Sequence, residues 1–140
     1  MTKQNTYKLT NPQKNIYQVE QQLSNSAINH IASYIKFSEV LDASVLSKTL
    51  NKLIKANDSF RLVFEQESDN LVQYFKPYSY VEIPIKILEN ENISTFVDYF
   101  KNYQISLKNT FAFFIVITPT CSYIFFKVHH IISDAWGMTQ

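Results

Sequence analysis

Val128-His129-His130-Ile131-Ile132-Ser133-Asp134-Ala135-Trp136-Gly137 closes a long apolar run. Tyr123-Ile124-Phe125-Phe126 leads into it, and Phe111-Ala112-Phe113-Phe114-Ile115-Val116-Ile117 stands before that, across a turn at 118–122. Neither run alternates polar with apolar residues. Both therefore read as central strands, either buried on both faces or packed on helices on one face and on another layer on the other. Lys127 interrupts the second run, and its ammonium needs solvent or a partner. A histidine at a strand end can present one ring nitrogen to a reacting amine or hydroxyl. Asp134 follows His130 by four residues, past a tight turn. There it can point back into the protein and hold the loop by pairing with a cation.

The double histidine with its Ile-Ile-Ser-Asp tail resembles the HHxxxDG signature of condensation domains, the peptide-bond-forming units of nonribosomal peptide synthetases. Chloramphenicol acetyltransferase and its relatives share the shorter HxxxDG core. Ala135 stands where the family usually has glycine. Two further stretches carry the resemblance toward the N-terminus. Asn57-Asp58-Ser59-Phe60-Arg61-Leu62-Val63-Phe64 is similar to a second family motif, roughly RHExLRTxF. Arg61 and Phe64 match it, while Asn57, Asp58 and Leu62 replace the usual His, Glu and Thr. Thr10, Gln13 and Tyr17 repeat the spacing of the family's first motif, although an ordinary amphipathic helix would explain them equally well.

The rest of the chain supplies the elements between these motifs. Asn11 can cap a helix over about 12–22, with Pro12 at a position where its missing N–H costs nothing. His30–Phe37 reads as a strand of β-branched and aromatic residues, with His30 structural or solvent-facing. Asp42 caps a helix over 43–56 whose apolar positions are Leu46, Leu50, Leu53 and Ile54. Phe60–Gln66 and Leu71–Phe75 form a hairpin. Val81–Leu88 is a strand that Pro84 assigns to an edge or a bulge. Asn92 caps a helix over 93–104.

Composition excludes several classes. The 140-residue chain has a formal charge of +1, so neither nucleic acid nor an acidic membrane is indicated as a partner. Cys121 is the only cysteine, which rules out an internal disulfide and fits a reducing, cytoplasmic setting. With three histidines and one cysteine, no metal-ligand cluster is apparent. No apolar run reaches the length of a membrane span, and the polar N-terminus lacks a signal-peptide core.

The resemblance implies an α+β, chloramphenicol acetyltransferase-like two-layer sandwich in which a mixed β-sheet packs against helices. Residues 9–140 would form most of the first of two lobes, behind an unstructured lead at 1–8. The second lobe and an adjoining adenylation domain are expected elsewhere in a longer synthetase, with the present chain inactive alone. In the intact domain, donor and acceptor peptidyl carrier proteins present thioesters on 4'-phosphopantetheine arms at opposite mouths of a tunnel. No cofactor is bound directly. With Met1 shortly before the first motif, the donor is expected from another chain or as an acyl thioester. Carried over residue by residue, the resemblance places His130 beside the attacking amine and gives its neighbour His129 a structural part in the same catalytic pair. It pairs Asp134 with Arg61, and it points backbone N–H groups near Ala135 and Trp136 at the thioester oxygen. The methyl of Ala135 excludes conformations that only glycine tolerates. Three other readings stay open: an epimerisation domain, a related acyltransferase, and a lobe that only binds a carrier protein.

Overall fold

The computed structural model describes residues 5–23 and 27–133. In chain order the elements are β1 (Tyr7–Lys8), α1 (Asn11–Gln22), β2 (His30–Phe37), α2 (Ala43–Ala56), β3 (Leu62–Glu67), β4 (Asn70–Phe75), β5 (Ile85–Ile87), α3 (Ser94–Asn102), β6 (Phe111–Ile117) and β7 (Ser122–His129). Short 3-10 turns at Ala27–Asn29 and Asp58–Arg61 precede β2 and β3.

Local chemistry sets the boundaries. Asp42 accepts the amide of Val45 at 3.0 Å and starts α2 at the expected residue. In α1 the cap is Thr10 rather than Asn11. The Thr10 hydroxyl takes the Gln13 amide, and the Gln13 side chain returns to the Thr10 amide, a reciprocal capping box. Asn92 accepts the Ser94 amide at 3.0 Å one residue outside the first turn of α3, and that helix ends at Asn102. Tyr7 and Lys8 do not belong to an unstructured lead. They pair antiparallel with Gln73 and Val72 of β4, where their backbone groups find ladder partners.

The expected strand over 81–88 is shorter. Its first half is an extended connection held by Asn51 of α2, whose side chain donates to Val81 O and accepts from Val81 N and the Tyr78 hydroxyl. Only Ile85–Ile87 pairs, in parallel with β6, at the sheet edge that Pro84 indicates.

Two sheets result. One has the order β1-β4-β3, and the larger is mixed, in the order β2-β7-β6-β5. The two apolar runs are its centre, and they divide their side chains by strand alternation. Ala112, Phe114, Val116, Tyr123 and Phe125 pack with Phe96 and Phe100 of α3. Phe113, Ile115 and Ile124 face the other way, onto Leu46, Leu50 and Ile54 of α2. A third cluster joins Leu9, Phe64, Val128, Ile131 and Ile132 where the small sheet meets the end of β7.

Lys127 lies on the α3 side and is buried, with only 2% of its surface exposed. Its ammonium donates to the carbonyls of Phe100, Lys101 and Tyr103 at 2.8, 3.1 and 2.8 Å. They lie at the end of α3, the negative pole of the helix, where Phe100 O also accepts the Tyr103 amide at 3.2 Å. The charge expected to seek a partner thus completes a helix terminus. Burial lowers its pKa.

Candidate active site

β7 delivers the histidine pair. Strand alternation sends adjacent residues to opposite faces, so the two rings have different surroundings. His129 lies opposite His30 in the β2–β7 ladder and is fully buried. Its Nδ1 accepts the Ile131 amide at 3.1 Å. That bond leaves the proton of the neutral ring on Nε2, which faces Glu20 Oε2 of α1 at 3.5 Å. The same Glu20 oxygen accepts the Asn29 side-chain amide at 2.7 Å. Burial lowers the pKa of His129, partly offset by Glu20, which favours the neutral ring. The His30 ring lies 5.7 Å away, edge to face, and its pKa is also lowered, mainly by burial and then by Lys127.

His130 is half-buried and lines a cavity of about 770 Å3. Tyr7, Gln13, Asn57, Gln73 and Phe75 contribute to its wall, and Ile131–Ser133 continue it. The loop is held through its backbone. The His130 amide donates to Asn29 O at 2.7 Å, and the Ile132 amide to His129 O at 3.1 Å. Gln13 Nε2 donates to Ile131 O at 3.3 Å. Gln13 also forms a two-way amide pair with Gln73 of β4, at 2.8 and 3.0 Å.

The first-motif residues Thr10 and Gln13 therefore lie beside the histidine loop, 118 positions away in sequence for Gln13 and Ile131. Asn57, from the second motif, lines the same cavity. Arg61 forms an ion pair with Asp58 and donates to Lys76 O at 3.3 Å. The carboxylate that sequence reasoning demanded for this arginine is thus supplied, within the described residues, three positions earlier. Asp134, Ala135 and Trp136 lie outside the described residues. Glu20, Asn29 and Gln73 were not singled out in the sequence. Gln73 carried a readable signal as a polar residue within the run Leu71–Phe75, and the fold buries it. Among the described residues no group of His, Cys, Asp and Glu is arranged to hold a metal, and no helix is long and apolar enough to cross a membrane.

Comparison with known proteins places this arrangement. A family model described as the condensation domain matches residues 3–139. Surfactin synthase subunit 1 of Bacillus subtilis (strain 168) is 25% identical over 134 residues, covering 94% of this chain and 4% of that protein. The starter condensation domain of rhizomide synthetase is similar in structure at a TM-score of 0.85, with 22% identity, over 96% of this chain and 36% of that one. The first condensation domain of the CDA synthetase gives a TM-score of 0.76 at 14% identity, over 90% of this chain and 36% of that one. The α+β fold is thus that of the chloramphenicol acetyltransferase-like condensation domains. The chain spans about a third of these solved relatives and a small part of the synthetase subunit. A match that runs from the helix-capping segment at one end to the histidine loop at the other makes this chain a member of the condensation-domain family of nonribosomal peptide synthetases.

Proposed function

We propose that the chain supplies the histidine-bearing part of a domain that joins a carrier-bound acyl or peptidyl donor to a carrier-bound aminoacyl acceptor. The acceptor amine attacks the donor thioester carbon, the C–S bond breaks, and the thiol leaves on its phosphopantetheine arm. The amine surrenders a proton and the thiolate receives one. His130 is the residue proposed beside that amine, either taking the proton or holding the amine by a hydrogen bond. The observation that carries this assignment is the division of labour in the pair. His129 is buried and accepts the Ile131 amide, with Glu20 3.5 Å from its other nitrogen, whereas His130 lines the cavity on a backbone fixed by Asn29.

The remaining roles follow the same reading. Asp134 would hold the loop as a second carboxylate on the guanidinium that Asp58 already engages. Backbone N–H groups at Ala135 and Trp136 would polarise the thioester oxygen. Residues 9–140 would belong to the first lobe, with a second lobe, donor and acceptor carrier proteins and an adenylation domain as partners. The single cysteine, buried and free, suits a cytoplasmic setting.

The test is His130→Ala in the full-length synthetase, with carrier-loaded donor and acceptor. Product formation should fall on the order of 10²- to 10⁴-fold with folding intact. Unchanged yield would assign the chain to carrier binding and not to catalysis.

A further inference from the structure

Gln13 does two separable things. Through Oε1 it accepts the Thr10 amide at 2.9 Å and closes the cap of α1. Through Nε2 it donates to Gln73 Oε1 at 2.8 Å and to Ile131 O at 3.3 Å. Both hydrogens of its amide nitrogen are thereby used, so it has no donor left for a ligand, although it lines the same cavity as His130. Gln73 is locked in turn, since its Nε2 donates to Lys8 O at 3.0 Å and to Gln13 Oε1 at 3.0 Å. Lys8 belongs to β1 and Gln73 to β4, so the small sheet fixes the orientation of the Gln13 amide.

On the other side, the Ile131 amide donates to His129 Nδ1 at 3.1 Å, and the His130 amide to Asn29 O at 2.7 Å. The backbone around His130 is thus held from two directions. The large sheet and Asn29 hold its N–H groups, and Gln13 donates to the carbonyl of Ile131. Without that donor, the Ile131 carbonyl can rotate about its flanking torsions, and the His130 ring turns with the loop.

We propose that Gln13 is a positioning residue, relaying the fixed orientation of the small sheet through its amide to Ile131 O and so aiming His130 into the cavity. This rests on the reading that His130 is the reacting residue. It gives the first family motif a task in the chemistry beyond helix capping.

Gln13→Glu separates the two tasks. A glutamate keeps the capping-box acceptor and with it the helix start. It has no donor for Ile131 O or for Gln73 Oε1. In the full-length protein, Gln13→Glu should keep the circular dichroism spectrum of the parent. Amide hydrogen exchange at His130, Ile131 and Ile132 should accelerate about tenfold, the equivalent of one lost hydrogen bond, while α1 amides stay protected. Product formation should show a kcat lowered by about tenfold or more with KM for both carrier substrates unchanged. Gln13→Met, which lacks donor and acceptor alike, should give the same loop exchange if the carboxylate variant folds poorly. Asp42→Ala, which removes the cap of α2 at Val45, is the control with the opposite signature, a lower Tm with loop exchange and kcat retained.

Unchanged exchange in the loop of both Gln13 variants overturns the proposal. So does altered exchange with normal kcat, provided His130→Ala in the same assay abolishes product. If His130→Ala is itself fully active, the reading of His130 falls, and accelerated loop exchange in Gln13→Glu still upholds the aiming contact.

Discussion

The two ends of β7 are held in different ways. At the Tyr123–Phe125 end the strand is fixed by apolar packing. Phe125 is 1% exposed, with the rings of Phe96 and Phe100 at 4.9 and 5.2 Å edge to face. From Lys127 onward directed polar contacts are added to the apolar cluster around Val128. Lys127 donates to the end of α3, His129 accepts from Ile131, His130 donates to Asn29, and Gln13 reaches Ile131 O. Apolar burial is proportional to area and tolerates small rotations, so it stabilises without aiming. A hydrogen bond weakens steeply off axis, so a set of them fixes orientation. The protein places its generic stability at one end of the strand and its geometry at the other, where a side chain must point into a cavity.

That contrast can be broken in four ways, from the largest effect downward. Phe125→Ala leaves a cavity between β7 and α3 and should cost about 3–5 kcal/mol in urea unfolding, with little direct effect on the loop. A loss below about 1 kcal/mol would mean that the apolar end is not the stabilising one. Lys127→Met keeps the stem and removes the ammonium, so the carbonyls of Phe100, Lys101 and Tyr103 each lose this donor, while Phe100 O keeps the Tyr103 amide. It should cost about 1–3 kcal/mol, with faster amide exchange concentrated in the last turn of α3. Equal exchange throughout the chain would show that the contact is not local.

The third test is pH. His129 and His30 both have lowered pKa values, chiefly from burial. The folded state therefore binds fewer protons than the unfolded chain just below the ordinary histidine value of 6.5. Stability is fully present above that value and is lost as pH falls through it, by about 1 kcal/mol per pH unit for the fully buried His129. His30, partly exposed, adds less. Tm measured between pH 7.5 and 5.5 (roughly one unit to either side) should fall on acidification, and His129→Gln should flatten the curve.

The smallest effect belongs to Arg61→Ala. Its partner Asp58 has 68% of its side-chain surface exposed, so the pair should contribute less than about 1 kcal/mol. A loss of about 3 kcal/mol or more would instead indicate an enclosed pair with Asp134.

Most of the architecture was legible before any coordinates. Strand β2 and helix α2 begin and end where residue periodicity and the Asp42 cap set them. The unbroken apolar runs announced a sheet covered on both faces, and HHxxxD named the family. Other features required the tertiary structure. Thr10 wins the cap over Asn11 because Gln13 can return the bond. Val81 stays out of the ladder because Asn51 takes its N–H and C=O. Arg61 meets Asp58 through a 3-10 turn that its pattern did not signal.

The site divides in the same manner. The identity of the histidines, their spacing and their place at a strand end are properties of the sequence, since alternation and apolar continuity are local. How the loop is held at the cavity was decided by Glu20, Asn29 and Gln13. These residues lie far away in the chain and meet the loop only when α1 and the small sheet close against the end of β7. Hydrogen bonds between such distant groups leave no periodic trace in sequence, because each depends on one distance and one angle that the folded chain alone creates.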